Sequence, residues 1–170
     1  SWPVKQNPLI TSKTTPKKKL SARLRRFQQF CSAYPKVWDL CCDHGQLGLA
    51  CEVSEVVFVD KVPSICQALQ DKVLRLKNQG DSRVLSVSCR DFREIPAAEF
   101  EQAVVCVAGI GGHLIAEFLE GLSQSELGQL RQTHFLLSPH RNLDLVLKVH
   151  NQDPWRVLYR ETIDDKGQSY

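Results

Sequence analysis

The chain has 170 residues, of which 42% are apolar, 24% charged and 8% aromatic, with a formal net charge of +3. That length and balance suit one globular domain and exclude a disordered chain or a fibrous repeat. No run of about 18 apolar residues is present and no apolar leader follows the first residues, so neither a membrane helix nor a secretory signal is expected. Seven cysteines (31, 41, 42, 51, 66, 89 and 106) form an odd set without a CxxC pair. Most lie in apolar runs, which predicts reduced core thiols in a cytoplasmic protein rather than a disulfide or zinc scaffold. Methionine is absent, an initiator included, which leads to the expectation that the gene product carries residues beyond this chain.

The charge is unevenly distributed. Residues 1–26 hold eight Lys or Arg and no acid, so the remainder sums to −5. A basic arm on an acidic body predicts a polyanionic partner. Residues 1–16 are expected to be a solvated arm or a tag, and 17–170 the folded domain. Within 17–35, Leu20, Leu24, Phe27 and Phe30 or Cys31 recur at helical spacing between basic residues, predicting a basic helix. Ser21 or Thr15 would begin it, and Tyr34-Pro35 would end it.

Beyond Pro35, short apolar runs alternate with amphipathic segments. Val37–Cys41 reads as a buried strand, followed by a Gly-bearing turn and a short helix near Gln46–Cys51. Glu55–Asp60 is a second strand that ends on an acid. Pro63–Gln79 reads as a helix with Ile65, Ala68, Leu69, Val73 and Leu76 on one face, stopped at Gly80-Asp81-Ser82. Val84–Ser88 alternates as a third strand, and Ala103–Ala108 is the most apolar one. His113–Leu122 is a helix with Leu114, Ile115, Phe118 and Leu119 inward. Thr133–Leu137 is a fifth strand, Leu143–His150 a helix, and Trp155–Ile163 a sixth strand. This alternation predicts an α/β fold with a doubly wound, mainly parallel sheet. In such a sheet ligands bind outside the carboxyl ends of the strands, where strand order reverses. The chemically interesting residues fall there: Asp39–Gly45, Asp60, Asp91, Gly109–His113 and Ser138–Asn142.

An acid closing the second strand faces a nucleotide ribose in this architecture, so Asp60 is a candidate ribose ligand. Capping of the helix at Pro63 is the competing role. The first turn, Cys41-Cys42-Asp43-His44-Gly45, has one glycine and an acid where a dinucleotide site needs G-x-G-x-x-G. Asp43 would repel a pyrophosphate and attract a sulfonium or an amine. Gly109-Ile110-Gly111-Gly112-His113-Leu114 ends in Leu instead of Gly or Ala, and no P-loop is present. S-adenosylmethionine therefore fits better than NAD, FAD or a nucleoside triphosphate. His140-Arg141 follows the fifth strand at the rim where an acceptor would enter, with a capped helix start as the competing role, whereas His134 and His150 read as structural. No His, Cys, Asp and Glu spacing suits a metal.

Leu20–Leu24, Asp39 with Asp43-His44, Arg90-Asp91 and Val107–Ile115 resemble the bacterial TrmK family, tRNA adenine-N1 methyltransferases that use S-adenosylmethionine. Pro139, Asn142 and the closing Trp155, Glu161, Gly167 and Tyr170 resemble it too. The chain departs from the family in carrying Cys41 and Arg90 where glycine is usual. The resemblance implies a Rossmann-like methyltransferase sheet and places Asp39, Asp43, His44 and Gly45 around the methionine end of the cofactor. It implies Asp60 at the ribose and Asp91 with Phe92 at the adenine, with Cys41, Lys61 and Ala108 beside them. Gly109, Ile110 and Gly111 would form the floor beneath the methyl, with Asp43, Gly109 and Gly111 as the catalytic set. Lys19, Arg23, Arg26, His113, Pro139, His140, Arg141 and Asn142 would meet tRNA. A monomer is expected. A non-catalytic RNA-binding module, or a methyltransferase for a small molecule or protein, remains the alternative.

Overall fold

A computed structural model describes residues 21–125, 132–150, 155, 164–165 and 168–169. Helix α1 spans Ala22–Cys31, β1 Lys36–Leu40, α2 Gln46–Ala50, β2 Glu55–Asp60, α3 Pro63–Asn78 and β3 Val84–Cys89. Two 3-10 turns, Phe92–Glu94 and Ala97–Phe100, precede β4 Val104–Ala108. Then follow α4 Gly112–Ser125, β5 His134–Ser138, α5 Leu143–His150 and a small antiparallel pair, β6 Asp164–Asp165 and β7 Gln168–Ser169.

The five long strands form one parallel sheet in the order β3-β2-β1-β4-β5. Chain order thus reverses between β1 and β4, which opens a crevice at their carboxyl ends. Helices cover both faces, so the inner strands read as continuous apolar runs. Because side chains alternate along a strand, Trp38, Leu40, Val105 and Val107 pack on one face with Phe100, Ile115, Phe118 and Leu119. Val37, Val56, Phe58, Val104 and Cys106 pack on the other with Phe27, Cys31, Leu47 and Leu69. Asp39 belongs by this alternation to the α1–α3 face, where it is the only buried charged residue among those described.

Local signals explain most element ends. Ser21 caps α1 by accepting the Leu24 amide at 3.2 Å, and Leu24, Phe27 and Cys31 supply its apolar stripe. The helix is shorter than the expected 17–35: it closes at Cys31, with the Ser32 amide bonded to the Gln28 carbonyl, before Pro35 is reached. Lys17, Lys18 and Lys19 lie outside the described residues, as do residues 1–16 and residues 156–163 of the expected sixth strand. Trp155 is described, and its ring meets Phe135 edge-on at 5.2 Å. Pro63 occupies the first turn of α3, and Gly80 ends it at φ +90°. Ala68, expected inward on α3, is exposed; Leu69, expected inward with it, is buried, and so is Cys66, on the flank that packs against β2 and β3. The seven cysteines are free thiols, four of them buried and Cys89 exposed. No helix among the described residues is long and apolar enough to cross a membrane.

Candidate functional site

The β1–α2 turn is the most distorted segment of the described chain. Cys41, Asp43 and Gly45 all take left-handed backbone angles, φ +55°, +48° and +71°. Such geometry is tolerable for Asp, free for Gly and strained for Cys, at a cost on the order of 1–2 kcal/mol. The turn is held from both sides: the Cys42 amide donates to the Val59 carbonyl at 3.2 Å, and the Asp43 amide donates to Asp60 Oδ2 at 3.3 Å. Asp60 Oδ1 accepts the Val62 amide at 3.0 Å, so one carboxylate ties together the turns after β1 and β2. Asp60 therefore does perform local backbone capping, and each oxygen keeps acceptor capacity for a ligand. Both expectations for this residue are compatible with one geometry.

Asp39 sits beneath this turn, 4% exposed, with Oδ2 accepting the Gly48 amide at 3.0 Å. Burial, reinforced by the Asp60 charge and opposed by the Gly48 bond, pushes its carboxyl up to about 7. Burial and the charges of Asp60, Asp91 and Asp39 likewise push the Cys41 thiol up to about 12, so it is not a nucleophile.

The second loop of the site follows β4. Gly109 adopts φ +78°, and its amide donates to the Ser138 carbonyl at 3.3 Å. The His140 amide donates to the Ile110 carbonyl, and the Gly112 amide to the Arg141 carbonyl, both at 2.8 Å. A β-carbon on Gly112 would collide with the Asn142 backbone, so glycine is required there by close approach of two chains. The loops after β4 and β5 are thus laced into one rigid rim.

Two adjoining cavities open at this rim, of about 300 and 360 Å³, within the range of ligand sites. They meet at Cys41, Asp43 and Gly109. The first is bounded by Asp39, His44, Ala108 and His140, and by Arg23 of α1. The second is bounded by Asp60, Lys61, Asp91 and Phe92 against the apolar Val62, Ile65, Ile110 and Leu114. Of the residues expected around a cofactor, all but Gly45 line one of the two spaces. Gly45 is buried instead, where a β-carbon would come within 2.7 Å of Leu69. Gly111 is buried behind the rim against the His113 ring, and lines neither cavity. His113, Pro139, Arg141 and Asn142 stand outside the cavities on the laced loops, and Arg26 stacks on Phe30 at 4.7 Å along α1. Lys19 lies outside the described residues.

Several lining residues escaped sequence reasoning. Leu24, Phe27 and Gln46 reach the first cavity, and Arg93 the second. The two apolar ones look like ordinary core stripe in sequence, while Arg93 carried a signal: it stands two residues after Asp91, the spacing of a side-chain-capped turn. Among the described residues no group of three His, Cys, Asp or Glu could hold a metal ion.

A family model described as a methyltransferase domain matches residues 20–170. The fold is similar to that of the B. subtilis M1A22 tRNA methyltransferase TrmK, with TM-score 0.73, 21% identity, 89% of this chain and 64% of that chain covered. It is also similar to Streptococcus pneumoniae Sp1610 in complex with S-adenosyl-L-methionine, with TM-score 0.67, 22% identity and coverage of 89% and 70%. A protein of the NADB-Rossmann superfamily from Streptococcus agalactiae matches with TM-score 0.69, 17% identity and coverage of 89% and 66%. The chain thus spans just under two thirds of the TrmK chain's length. No curated protein matches it.

Proposed function

The chain belongs to the methyltransferase-domain family, and on that premise we propose that it methylates N1 of an adenine in tRNA, with S-adenosylmethionine as donor. One observation carries the reading: two cavities, the second more apolar than the first, join at Gly109 and Asp43, at the crevice where strand order reverses. The names of the similar folds, a tRNA methyltransferase and a complex with S-adenosyl-L-methionine, support it.

The chemistry of the donor set fits this cofactor. Asp60 and Asp91 border a cavity walled by Val62, Ile65, Phe92 and Leu114, suitable for a flat base and a ribose diol. The exposed Asp43 supplies negative charge at the adjoining space, suited to an ammonium and a sulfonium, above the buried carboxyl of Asp39. When bound, S-adenosylmethionine supplies an electrophilic methyl group on a cationic sulfur. Adenine N1 has a free lone pair, so the protein needs no strong base. Its residues position and desolvate the two reactants instead. Gly109, without a side chain at the junction, lets a base approach the backbone closely. Methylated adenine carries positive charge, which the exposed Asp43 carboxylate would stabilise as it develops. Arg23, at the mouth of the first cavity, and the neighbouring Arg25 and Arg26 offer phosphate contacts on α1. An adenine stacked or paired in the tRNA would have to be extruded to enter. Free thiols throughout suit a reducing cytoplasm.

Calorimetric titration with S-adenosylmethionine tests the donor, and mass spectrometry of nucleosides from tRNA incubated with labelled donor tests the acceptor. Binding that weakens at least about tenfold in Asp60→Ala, together with label in 1-methyladenosine, is the expected result. Absence of binding would overturn the reading, and label confined to another nucleoside would overturn the adenine assignment.

A further inference from the structure

Two thiols that the proposed reaction does not use meet at the β2–α3 turn. Cys89 ends β3 opposite Asp60 of β2 in the parallel register, and Cys66 lies in the first turn of α3. The Cys66 thiol donates to the Asp60 carbonyl at 3.2 Å, and the Cys89 thiol to the next carbonyl in the chain, that of Lys61, at 3.9 Å. Burial, together with a hydrogen bond between the two thiols, pushes Cys66 up to about 11.

The pair is asymmetric in access. Cys66 is 3% exposed, whereas Cys89 faces solvent. Redox-sensing sites share this arrangement, in which an oxidant reaches an outer thiol and an inner thiol resolves the product. Cys31 and Cys106, whose sulfurs are 3.4 Å apart, are both fully buried, which shuts an oxidant out.

The place of the pair gives its oxidation a consequence. Asp60, Lys61 and Val62 of the turn wall the second cavity, and so does Ile65, the neighbour of Cys66 in α3. Asp60 also holds the Asp43 and Val62 amides. A disulfide needs sulfurs about 2.05 Å apart and β-carbons about 3.8 Å apart. Forming it removes both thiol donors from the Asp60 and Lys61 carbonyls and draws the start of α3 toward the end of β3.

We propose that Cys66 and Cys89 form an oxidation site for hydrogen peroxide, and that the disulfide they make weakens ligand binding in the second cavity. The Cys89 sulfur attacks one peroxide oxygen, the O–O bond breaks, and the departing hydroxide takes the thiol proton as water. The resulting sulfenic acid is attacked at sulfur by Cys66. The S–S bond forms, the S–O bond breaks, and the hydroxyl leaves with the Cys66 proton as a second water. The two thiols lose two electrons and the peroxide gains them; a thiol reductant reverses the change by exchange. Formation of the disulfide is independent of the proposed function, whereas its effect on cofactor binding rests on that reading.

The test treats the reduced full chain with hydrogen peroxide, alkylates the remaining thiols and maps the cysteines by mass spectrometry of non-reduced digests. A peptide joining Cys66 to Cys89 is the expected main product. In Cys66→Ala, Cys89 should stop at the sulfenic acid and be trapped by dimedone, and in Cys89→Ser, Cys66 should stay reduced. Calorimetry with S-adenosylhomocysteine gives the consequence. The oxidised protein should bind it about tenfold more weakly than the reduced protein, with affinity restored by dithiothreitol, and Cys89→Ser should bind it alike before and after peroxide. Thermal melts establish that the variants are folded, and Cys89→Ser, at an exposed position, carries the test if Cys66→Ala is not. Peroxide that leaves Cys66 and Cys89 unlinked, or links another pair, would overturn the site. A disulfide between them with unchanged affinity would overturn its control of the cavity and leave the proposed function standing. Failure of the reduced protein to bind S-adenosylhomocysteine would overturn the proposed function and the control together, while the cysteine map still decides the oxidation site.

Discussion

The carboxylate of Asp39 in β1 accepts the amide proton of Gly48 in α2 at 3.0 Å, with both residues buried. The bond fixes α2 over the carboxyl end of the sheet and is possible only because Gly48 has no side chain. A β-carbon there would meet Phe58 Cε1 at 2.5 Å, Val56 Cγ1 at 2.8 Å and Asp39 Oδ2 at 3.1 Å. Gly48→Ala should therefore destabilise the protein by about 1–3 kcal/mol in urea denaturation, despite the better helix propensity of alanine. An unchanged midpoint would mean that Phe58 yields freely.

The raised Asp39 carboxyl gives a stability effect of definite sign. Its folded-state value is about 7, whereas an unfolded carboxyl titrates near 4. Between these values the native state binds the extra proton, so the Asp39 contribution falls as pH rises through that window and is flat above it. Asp39→Asn should gain stability relative to the unmodified protein on going from pH 5 to pH 8. Urea melts at the two pH values measure this, and a relative gain at the acidic end would contradict the buried-acid account.

Gly109→Ala separates strain from chemistry. The backbone there is left-handed, at φ +78°, yet the nearest atom to an added β-carbon is His140 Nε2, at 3.8 Å. The stability loss should be confined to about 1–2 kcal/mol of backbone strain. On the proposed function turnover should drop far more, by about a hundredfold, because the alanine methyl would enter the junction proposed for donor and acceptor. Measured kcat and melting temperature together decide this; a fall in both by comparable free energies would remove the junction from the chemistry.

Arg25→Gln combined with Arg26→Gln tests the α1 surface as a tRNA contact. Arg25 is exposed, and Arg26 stacks on Phe30 and donates to Gln29 Oε1 at 2.9 Å, which holds its charge in place. Loss of two phosphate contacts should reduce the slope of log affinity against log salt by about 1.5. Filter binding over a salt series reads it, and an unchanged slope would move the tRNA contact elsewhere.

Much of this molecule is a local property of the chain. Glu55–Asp60 and Leu143–His150 form the expected strand and helix at the expected bounds, because an apolar run or a helical stripe between turn residues encodes its own geometry. The same reasoning placed the acids and glycines at the carboxyl ends of β1, β2 and β4, since a parallel sheet sends every strand end to one rim. Where reading of the chain fell short, the missing information was a distant partner. Ala68 is apolar and correctly phased, yet exposed, because the packing of α3 on β2 and β3 decides which flank of its stripe is covered. Leu114, expected inward, is half-buried because it faces a cavity.

Residue types and spacing alone determined that acids and glycines collect at one crevice, because periodicity and turn chemistry act over a few neighbouring residues. Only the tertiary structure decided which of their atoms stay open. It buried Gly45 and Gly111, divided Asp60 between two backbone amides, and set Arg93 between Asp91 and Glu117. Hydrogen-bond capacity is a balance among groups far apart in the chain, and it exists only once the fold has brought them together.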